Sequence, residues 1–138
     1  MWKITKEFKR DMAHRLPDYQ WKCFNVHWHT YRILIELEWK TVQNWGSNDW
    51  MLRDFWLLKP IKEWIDENRD HAYVWHYEDK VALYLKNEWF KVYLMDTAPT
   101  AENMAKVIYD KFRKEFPLKS ITIYETPTSF TTYDWEDE

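Results

Sequence analysis

The sequence predicts an α+β fold, an antiparallel sheet with helices on one face. Three observations lead there. Long stretches near both ends alternate apolar and polar residues with the period of a strand. Two internal stretches repeat apolar residues at helical spacing instead. Their order is strand, strand, helix, short insertion, helix, strand, strand, which sets a hairpin at each end of the chain and the helices between them.

Each element has its own signal. In residues 2–14, Trp2, Ile4, Phe8 and Met12 share one parity with Lys6, Arg10 and His14, while Lys3, Thr5, Glu7, Lys9 and Asp11 take the other. That pattern is a strand with one mostly apolar face. Leu16-Pro17-Asp18-Tyr19-Gln20 reads as a turn or loop. From His27 to Trp39 the odd positions are His27, His29, Tyr31, Ile33, Ile35, Leu37 and Trp39, a second long strand whose histidines share the apolar face. Asn44 to Asn48 holds the single glycine, Gly46, and predicts a hairpin turn that returns through Trp50-Met51-Leu52. Asp54 is the N-cap candidate of a first long helix through Phe55, Leu58, Ile61, Trp64 and Ile65 to about Asn68, and Pro60 allows a later start. An insertion over about 76–96 predicts a short helix at 79–87 and a short strand from Phe90 to Met95. Thr100 with Asn103 caps a second long helix, whose stripe is Met104, Ile108, Phe112 and Phe116 and which Pro117 ends. Ile121, Ile123 and Glu125 share a face of the third long strand, and Ser129 to Trp135 form the fourth. The acidic tail, 134–138, is expected to fray.

Composition bounds the function. At 138 residues the chain is expected to be one domain, 1–138, large enough for a real core. Its net charge of −3 argues against nucleic-acid binding driven by phosphate neutralisation. No stretch approaches the ~20 apolar residues of a spanning helix. Met1-Trp2-Lys3-Ile4-Thr5-Lys6 lacks the apolar run of a secretory leader. One cysteine excludes an intrachain disulfide framework and fits a reducing, cytoplasmic setting.

The chemistry concentrates around Cys23-x3-His27-x-His29. On a strand, His27 and His29 project to the same side, so both rings reach one metal. His14, at the end of the strand that pairs beside it, offers a third imidazole. Three histidines with an open position describe a catalytic zinc site rather than a structural one; the alternative is two half-buried histidines with no metal. Cys23 is either an inert small hydrophobe or, beside a cation, a thiolate able to act as a base. Adjacent Asp70 and His71 do not face each other on a helix or strand, so a helix-terminal charge pair is the plainer reading. His76 reads as a surface histidine. Glu125 continues an apolar face, and an inward carboxylate needs a partner: a Lys or Arg side chain, or the N–H groups of a ligand.

These residues resemble the 6-pyruvoyl-tetrahydropterin synthase family, and within it the 6-carboxy-tetrahydropterin synthase branch. The matching segments are Ala13-His14-Arg15-Leu16, Lys22-Cys23-x3-His27-x-His29-x-Tyr31, Asp54-Phe55, Asp70-His71-Ala72-Tyr73, Pro99-Thr100-Ala101-Glu102-Asn103 and Glu125-Thr126-Pro127-Thr128-Ser129. They follow the family's order over nearly the whole chain, and the short Cys-to-His spacing favours the carboxy branch. The resemblance implies the tunnelling fold: a four-stranded antiparallel sheet with two long helices outside, three subunits closing a barrel and two rings stacking into a hexamer. It implies zinc on His14, His27 and His29, a catalytic Cys23, a catalytic Asp70–His71 pair donated across an interface, and Glu125 as catalytic residue and pterin anchor. The implied reaction converts 7,8-dihydroneopterin triphosphate to 6-carboxy-tetrahydropterin, with 6-pyruvoyl-tetrahydropterin synthesis or an inactive scaffold as alternatives. Lys22 and Arg15 are candidates by charge for the triphosphate.

The departures from the family are in glycine. Trp28 stands between the two histidines, Trp21 before Lys-Cys and Trp56 after Asp-Phe, where the family usually has Gly. The Glu88-Trp89-Phe90 junction also falls where a Gly is expected after a short helix. A bulky residue at a left-handed position costs roughly 1 kcal/mol or more. Tryptophan at family glycine positions, with the metal and catalytic residues kept, is the pattern an engineered exchange would leave.

Overall fold

A computed structural model of the chain describes residues 2–16, 25–39 and 58–134. Its elements are β1 (Trp2–His14), β2 (His27–Trp39), α1 (Lys59–Asn68), β3 (Ala72–His76), α2 (Lys80–Asn87), β4 (Val92–Met95), α3 (Ala101–Phe112), β5 (Leu118–Thr126) and β6 (Ser129–Asp134). They form one sheet of six strands in the order β4-β3-β1-β2-β5-β6. The four strands read from the alternation are its antiparallel part, β1-β2-β5-β6. β3 runs parallel to β1, and β4 parallel to β3.

The expected four-stranded antiparallel sheet is therefore corrected to a mixed sheet of six strands among the described residues, while the short helix and short strand expected in the insertion are present as α2 and β4. The reason is local. β3 is five residues with Ala72, Val74 and Trp75 all buried, so it has no clean alternation to read. It is nonetheless pinned, because Met12 and Ala13 of β1 pair with Ala72 and Tyr73. The insertion supplies α2 and β4, and β4 continues the sheet outward. The expected hairpin at 44–48 and the N-cap at Asp54 lie outside the described residues.

One face of the sheet is the core. Phe8 and Met12 of β1, Tyr31, Ile33, Ile35 and Leu37 of β2, and Ile121 and Ile123 of β5 are all buried there. They meet Ile61 and Ile65 of α1 and Met104, Ala105, Ile108 and Phe112 of α3. Fully burying each such aliphatic side chain is worth about 1.5–3 kcal/mol. Thr100 caps α3 through its hydroxyl, which accepts from Asn103 N–H at 3.3 Å, and Asp79 caps α2 by accepting from Val81 N–H at 2.9 Å. α1 starts at Lys59 with no side-chain cap, and Pro60 occupies its first turn. No helix among the described residues is long and apolar enough to cross a membrane.

Two turns bear on the site. α2 ends in a Schellman motif: Phe90 N–H donates to Leu85 C=O at 3.0 Å and Trp89 N–H to Lys86 C=O at 3.1 Å. The left-handed residue of that motif, usually glycine, is Trp89 at φ 68. Trp28, by contrast, sits in the extended ladder opposite Ala13, so the expected strain at this family glycine is absent. The turn after α1 is fixed by Arg69, fully buried with its guanidinium 4.7 Å from the Trp64 ring centre and 3.7 Å from that of Tyr93. That turn presents Asp70 and His71, the latter at φ 55.

Candidate metal centre

Antiparallel pairing puts His14 directly opposite His27, and His29 opposite Met12. All three histidines lie on the inner-face parity, at the end of the core. Their ligating nitrogens lie within 4.8 Å of one another. His14 is 2 % exposed, and its ring crosses those of His27 and His29 edge-on at 4.4 and 5.4 Å between centres. The side-by-side strands thus do what the His-x-His spacing and the β1 terminus predicted.

The hydrogen bonds fix the protons. His14 Nδ1 lies 2.8 Å from Pro99 C=O, and His27 Nδ1 lies 2.8 Å from Asn25 C=O. A carbonyl only accepts, so both Nδ1 atoms carry hydrogen and donate. With both rings neutral the Nε2 atoms hold lone pairs, and they face each other at 2.8 Å. Burial pushes the His14 pKa below its ordinary value of 6.5, against the pull of the Pro99 carbonyl; His29 is lowered by burial too, against the pull of Glu125. His14 is thus held neutral, with its lone pair available. Two converging lone pairs repel unless a cation lies between them, and an Nδ1–H given to a backbone carbonyl is the usual outer support of a metal-bound imidazole. The residues fit a divalent metal.

Glu125 sits at the rim. The β5–β6 register shifts between Tyr124 and Thr126, and β2–β5 pairing ends at Arg32–Tyr124 although both strands continue. Strand alternation through Ile121 and Ile123 turns the carboxylate inward, and the irregularity falls beside it. Its Oε1 is 3.5 Å from His14 Nε2 and 3.4 Å from His29 Nε2. Among the described residues, the inward carboxylate therefore pairs with imidazoles and not with a Lys or Arg. Beside it opens a cleft of about 590 Å³, lined by Lys9, His29, Thr30, Arg32, Glu125, Thr126 and Pro127.

Asp70 and His71 do pair, with Oδ1 to Nδ1 at 3.0 Å, because the left-handed backbone at His71 folds one side chain back on the other. Within this chain they do not meet the histidine cluster. His71 lines a second cleft of about 510 Å³ together with outer-parity residues such as Asp11, Trp28 and Tyr73 and with Met12 and Ala72 of the inner parity. Cys23 and Lys22 lie outside the described residues. Arg15 is committed elsewhere: Nε and Nη2 donate to the buried Asp79 carboxylate at 2.7 and 2.9 Å. Its charge alone made it a triphosphate candidate. Sequence reasoning missed Pro99 and Asn25, whose contributions are backbone carbonyls with no side-chain signature. Tyr31, whose hydroxyl is 3.4 Å from His14 Nδ1, was visible by parity alone.

Comparison with known proteins follows this geometry. The profile of the 6-pyruvoyl tetrahydropterin synthase family matches residues 3–136. The 6-carboxy-5,6,7,8-tetrahydropterin synthase of Haemophilus influenzae is 35% identical over 140 residues, covering 96% of this chain and 99% of that protein. The synthase of the same name from Synechocystis sp. is 31% identical over 136 residues, covering 96% and 93%. Among solved structures, a protein of Wolinella succinogenes superposes with a TM-score of 0.84 at 20% identity, over 98% of both chains. Caenorhabditis elegans 6-pyruvoyl tetrahydropterin synthase superposes at 0.69 and 23% identity, over 98% of this chain and 96% of that one. At these identities the superpositions establish the fold.

Proposed function

The chain belongs to the 6-pyruvoyl tetrahydropterin synthase family and is an enzyme of its carboxy branch; on that footing we propose that it is a zinc-dependent lyase. Its substrate is 7,8-dihydroneopterin triphosphate, and its products are 6-carboxy-5,6,7,8-tetrahydropterin, acetaldehyde and triphosphate, a step toward 7-deazaguanine and queuosine synthesis in the cytoplasm. The observation that carries the reading is the convergence of His14, His27 and His29, whose ligating nitrogens lie within 4.8 Å of one another while the Nδ1 atoms of His14 and His27 each sit 2.8 Å from a backbone carbonyl. His14, His27 and His29 would hold the ion, which when bound supplies Lewis acidity to the substrate's side-chain oxygens.

The remaining work falls to the protein's own groups. Cys23, as thiolate, removes a substrate proton. His71 carries protons, with Asp70 at 3.0 Å orienting its ring. Glu125 accepts the paired N–H groups of the pterin's amino-pyrimidinone edge, a bidentate charge-assisted contact that sets the ring's orientation. His71 lines a different cleft from His29 and Glu125, which favours its serving a neighbouring subunit's site in a trimer or hexamer.

Incubation with 7,8-dihydroneopterin triphosphate tests the reading. Acetaldehyde released together with 6-carboxy-tetrahydropterin is expected. A pyruvoyl product without acetaldehyde assigns the sister activity, and no turnover by zinc-loaded protein removes the lyase reading.

A further inference from the structure

We propose that Lys91, at the entry to β4, is a positioning residue for the Asp70–His71 pair. The inference rests on the assignment of His71 to proton transfer, and on nothing about the metal. The turn after α1 holds a conformation it does not favour by itself. His71 takes φ 55, a left-handed value at a non-glycine residue. Such a residue persists where its surroundings over-determine it. The helix end behind it leaves backbone carbonyls in need of donors, and Arg69, Asp70 and His71 offer no glycine to close it.

Those carbonyls are answered from outside the turn. Lys91 Nζ donates to Asp66 C=O of α1 at 2.6 Å and to Asp70 C=O at 2.5 Å. One ammonium thus ties the last turn of the helix to the residue whose carboxylate lies 3.0 Å from His71 Nδ1. A cation is also the favoured charge at a helix C-terminus. The lysine is itself anchored to the strand that follows His71, since its C=O accepts Tyr73 N–H at 2.9 Å. Next to it, Phe90 meets the Tyr73 ring edge-on at 5.9 Å. From β1, Asp11 C=O accepts His71 N–H at 2.7 Å. The pair is therefore held between β1 and the insertion.

Arg69 is the inner anchor of the same turn. It is fully buried, and its Nη1 donates to Asn68 C=O at 3.3 Å. Its Nε and Nη2 have no acceptor among the described residues. The rings of Trp64 and of Tyr93 on β4 face its charge instead. The insertion thus holds the turn twice, through Tyr93 in the interior and through Lys91 at the surface. Lys91 is exposed, so it can be replaced without unpacking the core.

The test compares wild type, Lys91→Met and Lys91→Arg, with thermal melts and metal content as controls. In Lys91→Met the His71 and Ala72 amides are expected to exchange hydrogen at least about tenfold faster, with those of α3 unchanged. Its kcat is expected to fall about ten- to hundredfold at an unchanged metal content, with KM within about twofold of wild type. Lys91→Arg, which keeps the charge and the donors, is expected to restore most of both. A lysine that only stabilised the fold would lower the melting temperature and leave kcat of the folded enzyme as it was. Unchanged exchange at His71 and Ala72, or faster exchange with kcat unchanged, overturns the assignment. A wild type without turnover overturns the lyase reading instead, and the exchange rates alone then decide whether Lys91 holds the pair.

Discussion

His14 is buried and neutral, so its protonation opposes both folding and metal binding. Its pKa lies below 6.5 in the folded chain, chiefly because burial penalises the cation, and rises toward 6.5 on unfolding. The unfolded chain therefore binds more protons in that window, and stability rises with pH there. The metal-free protein is expected to be most stable above about pH 6.5 and to lose stability progressively below it, before most carboxylates titrate. Urea midpoints between about pH 5.5 and 7.5 measure this; a flat profile contradicts a neutral His14. Cys23 is assigned to proton transfer and not to the metal, so Cys23→Ala is expected to abolish turnover with zinc stoichiometry unchanged. Zinc lost together with activity would place the thiol among the ligands.

Among the elements, two tryptophans at positions where glycine was expected behave oppositely. Trp89 is 93% exposed and carries φ 68 at the left-handed position of the α2 cap. Trp89→Gly is expected to stabilise the protein by about 1 kcal/mol, read as a shift in denaturation midpoint. Trp28 is 72% exposed in an extended ladder. Trp28→Gly is expected to gain nothing and to cost about 0.5–1 kcal/mol of strand stability. The same contrast shows what could be read from residues alone. β1, β2, β5 and α3 were legible because each is long, one-sided and marked by period or cap. The three-histidine cluster was legible because strand parity fixes direction. β3 was not, since five residues buried on both faces carry no period. The Asp70–His71 charge pair after α1 was the plainer reading and is present, but the left-handed backbone that accompanies it was not legible, since it falls on a non-glycine residue. The inward turn of Glu125 was legible from its parity with Ile121 and Ile123, but its partners His14 and His29 were not, since they come from neighbouring strands.

At the scale of the whole molecule, the two halves of the proposed chemistry open into different clefts, which share Thr30. His29 and Glu125 line one, and His71 lines the other. A site shared between subunits reconciles them. Mixing inactive Cys23→Ala and His71→Ala chains under conditions of subunit exchange is expected to restore part of the activity, since some sites then receive both intact halves. No recovery, with exchange verified by mass, would confine each site to one chain.

Everything in this reading depends on an ion gripped by His14, His27 and His29. Elemental analysis of protein purified without chelator tests that most directly. About one zinc per chain is expected in the wild type, with three ligands to one ion as in other catalytic sites, and none in His14→Ala. Wild-type protein free of metal even after incubation with excess zinc, or His14→Ala retaining its full complement, would contradict it.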